Sequence, residues 1–171
     1  MARYILNNVG WATIATISTM PEIKSFPYAN LEEIVDGLDN KGNGIPYFFV
    51  AVYDPLTSDT DIDNRCTLIA SLAENDWCKQ QNLEEEDPRC ARVMMSGRFI
   101  KIDQTTTEYT SALNQFHVKH PQTNYWPASH HFYIAKMDIN HINLFDSFGG
   151  LKTVNVTEYF AANEEFDNYI Y

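Results

Sequence analysis

Short apolar runs bounded by turn residues recur along this chain, a pattern that predicts strands over most of its length. Trp11 to Thr19 is rich in β-branched and small residues and reads as a barrel strand, with Ser25 to Glu33 returning beside it. The cluster Asp39-Asn40-Lys41-Gly42-Asn43-Gly44 predicts a turn. Tyr47 to Tyr53 then reads as a strand apolar on both faces, with Pro46 at its start, where no ladder donor is lost. Thr67 to Leu72 and Arg92 to Asp103 are further strands, and Gly97 is a candidate bulge in the longer one. His130 to Met137 and Asn140 to Ser147 supply two more.

Helical signals are fewer. Arg3 to Val9 predicts a short helix stopped at Gly10, and Ser58 to Asn64 another. The clearest begins at a Thr105 cap with Glu108 three residues on, followed by Tyr109, Ala112, Leu113 and Phe116 at helical spacing. Lys119 and His120 suit its negative end, and Pro121 stops it. Thr157 opens a final short helix. About six strands with peripheral helices predict an α+β, mainly β fold built as a small barrel. Without a repeat, low-complexity tract or linker, residues 1–171 read as a single domain.

Charge narrows the function classes. The formal net charge is −11, and the twelve Lys and Arg lie scattered, whereas a nucleic-acid binder clusters them against phosphates. Glu84-Glu85-Glu86-Asp87, the densest charge run, reads as a solvated loop. The apolar runs are too short to cross a bilayer as helices. Of three cysteines, Cys78 and Cys90 flank an acidic, Pro-containing segment suited to a loop-closing disulfide, which contributes on the order of 2–3 kcal/mol. Cys66 precedes an apolar run and reads as a buried free thiol. One glycosylation sequon, Asn155-Val156-Thr157, together with the cysteine pair points to the secretory pathway. Met1 opens directly into apparent structure, so the expectation is that a leader has been removed.

Catalytic motifs are sparse. Ser129-His130 lacks the setting of a hydrolase triad, and Gly42 with Gly44 lacks the Lys and helix of a phosphate loop. His117 and His120 share a helical face, but no neighbouring ligand completes a metal set, so no metal is expected. Trp126 could stack on a planar ligand and His130 could polarise a carbonyl, against the plainer reading of packed rings. On a strand, His130 and His131 would point to opposite faces.

Several fragments, taken in order, carry a family resemblance. They are Ala15-Thr16-Ile17-Ser18-Thr19, Gly44-Ile45-Pro46-Tyr47-Phe48, Asp87-Pro88 with Cys90, Ser96-Gly97, His120-Pro121, Trp126-Pro127 through His130, and Phe148-Gly149-Gly150. Together they resemble the CREG secreted and lysosomal glycoproteins, relatives of pyridoxamine-phosphate oxidase. The resemblance implies a homodimeric six-stranded split β-barrel of the FMN-binding type. It also implies secretion or endolysosomal residence, glycosylation, a role in growth restraint, differentiation or lysosomal function, and a link to the mannose-6-phosphate/insulin-like growth factor II receptor. Any such glycan would rest on Asn155.

Flavin relatives hold the FMN phosphate with strand cations, yet Trp11 to Thr19 and Tyr47 to Tyr53 carry none. Thr16 and Ser18 could hydrogen-bond a phosphate without neutralising it, and Trp126 and His130 would complete a vestigial flavin pocket. The expectation is a non-catalytic glycoprotein with an occluded pocket and no cofactor. The alternative is an FMN-dependent oxidoreductase with a cation-poor phosphate site.

Overall fold

A computed structural model describes residues 1–38 and 41–162. Its strands are β1 (Trp11–Ile17), β2 (Pro27–Leu38), β3 (Lys41–Val50), β4 (Arg65–Ser71), β5 (Arg92–Lys101), β6 (Tyr133–Phe145) and β7 (Lys152–Val154). They form one antiparallel sheet in the order β3-β2-β1-β4-β5-β6-β7, and a β3–β6 pairing closes the first six into a barrel. The six-stranded barrel read from the sequence is therefore present, with β7 outside it on β6. The helices are α1 (Ala2–Asn8), α2 (Pro55–Ile62), α3 (Trp77–Gln80), α4 (Thr107–Lys119) and α5 (Val156–Ala161).

Strand alternation builds the interior. Ile14, Phe48, Leu68, Met95 and Met137 point inward, and Ile5 and Leu6 of α1, with Val9 just after it, join the same core. A second cluster lies under α4, where Ala112 and Phe116 cover Val35, Tyr47 and Ile134. That second layer explains why β3 is apolar on both faces: Phe48 and Val50 fill the barrel, while Tyr47 and Phe49 pack toward α4.

Several boundaries differ from the sequence expectation. Leu38 pairs with Lys41, so the predicted turn is partly strand; Asp39 and Asn40 lie outside the described residues. Gly37 and Gly44 take φ of +75° and +84° there, and Asp36 Oδ1 accepts from Gly44 N at 2.7 Å. α2 starts earlier than expected because Asp54 Oδ1 accepts from Leu56 N at 2.8 Å and Pro55 suits the first turn. Thr106 rather than Thr105 caps α4, since the Thr105 amide and hydroxyl both donate to Asp103 Oδ1 at 2.8 Å.

The two predicted C-terminal strands are one, β6. It runs through Asp138-Ile139-Asn140 without breaking, because Asn140 is the extra residue of a bulge: His141 pairs with Ser96 and Ile139 with Gly97. A Cβ at Gly97 would sit 2.0 Å from the Asp138 carbonyl oxygen, which accounts for glycine there. β6 also begins later than expected, at Tyr133 opposite Val50. His130 ends a 3₁₀ turn, Ala128–His130, and His131 has φ 50°, so neither stands on a strand.

Candidate functional site

Two clefts carry most of the chemistry, and strand pairing creates both. Along β1, Ala12, Ile14 and Thr16 are buried, whereas Trp11, Thr13, Ala15 and Ile17 point out. Opposed residues of an antiparallel ladder share a side, so the outer face can be read across the strands. Thr13 lies between Leu31 and Ile69, Ala15 between Ala29 and Thr67, and Ile17 opposite Pro27. Thr67 faces Ser96, their hydroxyls 2.9 Å apart, and Arg65 faces Arg98. This small-residue surface runs into two guanidinium groups, and a cleft of about 420 Å³ opens between them.

The groups at this outer cleft already have partners. Arg65 Nε donates to both oxygens of Asp63, at 2.9 and 3.1 Å, and the fork holds the Asp63 carboxyl down at about 2. Arg98 donates to Asn64 Oδ1 at 2.8 Å. Thr16 belongs to the cleft wall, but its hydroxyl donates to the fully buried Asp59 at 2.7 Å. Thr19 donates to the same carboxylate through its amide at 2.7 Å and its hydroxyl at 2.8 Å. Ser18 Oγ accepts from Met20 N at 3.2 Å and lies outside the cleft lining.

The second cleft sits where the sheet parts. β2 pairs with β1 over residues 27–33 but with β3 only from Ile34 onward, so one edge of its first half has no strand neighbour among the described residues. Against that edge lies a cleft of about 370 Å³. One wall is aromatic. Phe49 and Trp126 are nearly parallel at 7° with centroids 5.8 Å apart, and Phe132 stands 4.8 Å from Phe49 and 5.0 Å from Trp126. The connection from α4 to β6 delivers Trp126 through two 3₁₀ turns, Pro121–Tyr125 and Ala128–His130. Val52 N donates to the His130 carbonyl at 3.2 Å, pinning that connection to the end of β3.

The opposite side is acidic, formed by Glu32, Glu33 and Asp54. Glu32 is 9% exposed and receives one hydrogen bond, from Asn30 Nδ2 at 3.3 Å. Burial, and after it the Asp54 charge, pushes its carboxyl up to about 8. Glu33 Oε2 is buried without a hydrogen bond, 4.0 Å from His120 Nδ1. The other His120 nitrogen, Nε2, donates to the Ile34 carbonyl at 3.0 Å.

The four residues singled out in the sequence as a vestigial flavin pocket therefore divide. Thr16 lines the outer cleft, Trp126 and His130 line the cleft beside β2, and Ser18 lines neither. Cys78 and Cys90 are joined as a disulfide, and burial pushes the Cys66 thiol up to about 12. Asn155 is exposed and caps α5 through Oδ1, which accepts from Thr157 N and Glu158 N. Among the described residues, no group of three or more His, Cys, Asp or Glu is placed to hold a metal ion, and no helix is long and apolar enough to cross a membrane.

Sequence reasoning missed Arg98, which shares the outward face of β5 with Met94 and Ser96. Period-2 alternation along Arg92 to Asp103 was a signal for that placement. It also missed Glu32 and Asp54, which nothing local in the sequence brings together.

The family described as "CREG, beta-barrel" matches residues 1–161 of this chain. Protein CREG1 of Mus musculus is 35% identical over 160 residues, covering 94% of this chain and 72% of that protein. Among solved structures, a heme binding protein from Mycobacterium smegmatis superposes with a TM-score of 0.73 at 18% identity, over 95% of this chain and 59% of that one. A protein of the pyridoxinephosphate oxidase family from Clostridium acetobutylicum superposes with a TM-score of 0.58 at 10% identity, over 91% of this chain and 92% of that one. At those identities the structural likeness speaks for the split-barrel fold alone.

Proposed function

This chain belongs to the CREG β-barrel family, and on that premise we infer that it is a non-catalytic glycoprotein of the secretory and endolysosomal route. It acts as a homodimer through its surface, in growth restraint, differentiation or lysosomal function, and its flavin pocket is degenerate. One observation carries the reading: the polar groups of the outer cleft that could meet a phosphate are already engaged within the chain. Asp63 occupies Arg65, Asn64 occupies Arg98, and Asp59 takes the Thr16 hydroxyl. A buried dianionic phosphate needs charge compensation, and an arginine already paired with a carboxylate supplies little. Trp126, the ring best suited to stack on a flavin, lies in the other cleft, packed on Phe49 and Phe132. The residues present do not fit FMN.

The outer sheet face supports the dimer. Thr13, Ala15, Ile17, Pro27, Ala29 and Ile69 form an uncharged surface across three strands, the kind a second copy covers by two-fold symmetry. Light scattering at micromolar concentration should report twice the chain mass, and a monomer contradicts the dimer. Asn155 presents its Nδ2 to solvent while Oδ1 caps α5, which suits it to carry a glycan for sorting by the mannose-6-phosphate/insulin-like growth factor II receptor. Asn155→Gln protein made through the secretory route should lack that glycan and lose receptor capture.

The alternative is an FMN-dependent oxidoreductase. Arg65 standing opposite Arg98 favours it, since together they give one end of the outer cleft two cations. Titrating FMN and following quenching of its fluorescence separates the two. The absence of saturation at tens of micromolar is expected; stoichiometric quenching that Arg98→Gln abolishes would establish the alternative.

A further inference from the structure

We propose that the cleft beside the free edge of β2 binds a small organic cation, an ammonium group carried on an aryl or alkyl body. The cleft holds two complementary halves that nothing else in the fold explains. Its acidic half holds Glu32, nine-tenths buried with one long hydrogen bond from a neutral amide and no cation beside it, and Glu33, one buried oxygen of which accepts no hydrogen bond and has only His120, at 4.0 Å, near it. Asp54 adds a third negative group, one oxygen of which caps α2. An acid in such a place is held neutral by burial, and its ionised form becomes favourable only when a cation arrives to pair with it.

The chemistry of the lining selects the ligand. An anion is repelled. A metal ion finds no group of three or more ligands there, among the described residues. A neutral apolar compound would leave Glu32 as it is. An ammonium ion pairs with Glu32 and Asp54 while its hydrocarbon or aryl part packs on Phe49, Trp126 and Phe132, whose ring faces also attract cations. The volume of about 370 Å³ lies within the range of small-molecule sites. The raised Glu32 carboxyl adds a signature, because at neutral pH it holds a proton that an arriving ammonium would expel.

Calorimetry on the purified chain at neutral pH, with 2-phenylethylamine, its neutral analogue 2-phenylethanol and its acidic analogue 3-phenylpropionate, tests the proposal. The amine should bind saturably at one site per chain and the analogues at least about tenfold more weakly. Repeating the titration in two buffers of different ionisation enthalpy should reveal proton release. Glu32→Gln should weaken amine binding about tenfold or more and abolish the release. Asp54→Asn, which keeps the α2 cap, should weaken it several-fold, and Trp126→Leu should weaken it too. Glu84→Gln, on the distant acidic loop, should change nothing. The proposal is overturned by equal binding of amine and alcohol, by binding indifferent to both Glu32→Gln and Asp54→Asn, or by no amine heat at about 5 mM. None of these outcomes depends on whether the outer cleft takes FMN or a second copy.

Discussion

The outer cleft and the cleft beside β2 have similar volumes, about 420 and 370 Å³, and opposite chemistry. In the outer cleft the charges are solvated and have partners: Arg65 is paired with the Asp63 carboxylate, and Arg98 donates to the neutral Asn64 amide. Beside β2 the charges are all of one sign and drawn into the protein, so they perturb one another rather than being answered. Ladder position accounts for the difference. A cleft in the middle of a continuous sheet is walled by outward side chains that water also reaches. A cleft at a free strand edge receives inward and outward side chains together, which is how neighbours as different as Glu32 and Glu33 reach the same space.

The sharpest way to break the outer cleft is from beneath. Asp59→Ala leaves the buried Thr16 hydroxyl and both donors of the half-buried Thr19 without their acceptor, and should cost about 3 kcal/mol in a urea titration. Amine binding beside β2 should then follow only the folded fraction. Replacing Cys78 and Cys90 by Ser should cost about 2–3 kcal/mol and touch neither cleft, which makes it the control for general loosening.

The carboxylates beside β2 predict a pH dependence. Glu32 has its folded pKa raised to about 8, so its contribution to stability is full below the ordinary carboxyl range and is lost as pH rises through about 8. Glu32→Gln should remove about 1–3 kcal/mol of that decline, read as the slope of stability between about pH 5 and 9. Glu74, raised to about 7 by burial, keeps a residual slope in the same direction. The smallest effect belongs to the outer arginine: Arg98→Gln should leave the urea midpoint at the wild-type value, because exposed polar pairs add little to stability.

Much of the barrel was legible in the chain, and the reasons lie in particular residues. The β-branched run of β1 shows locally what it is for, and Cys78 and Cys90 close a loop short enough to read as one unit; Gly97 marks the bulge but lies opposite it, the extra residue being Asn140 of β6. α4 was visible from its apolar stripe, while its cap slipped by one residue because Thr105 and Thr106 are equally good candidates and Asp103 decides between them. β7 carries no strand pattern: its Lys152 and Thr153 are exposed, and pairing with β6 alone makes it a strand. The clefts were least legible. Trp126 and His130 do line one together, but its acidic half comes from β2 and the cap of α2, far away in sequence. Thr16, placed with them by the resemblance, faces a buried aspartate instead.

β6 hydrogen-bonds to β5, β3 and β7, and only its arrival pairs the open side of β3 with the open side of β5. As the chain emerges from a ribosome, the first five strands can assemble only as an open, curved sheet whose two outer strands offer unpaired backbone. Nothing before Tyr133 can seal them. The nascent barrel therefore stays adhesive until β6 is made, and its exposure to aggregation during synthesis is set by one strand.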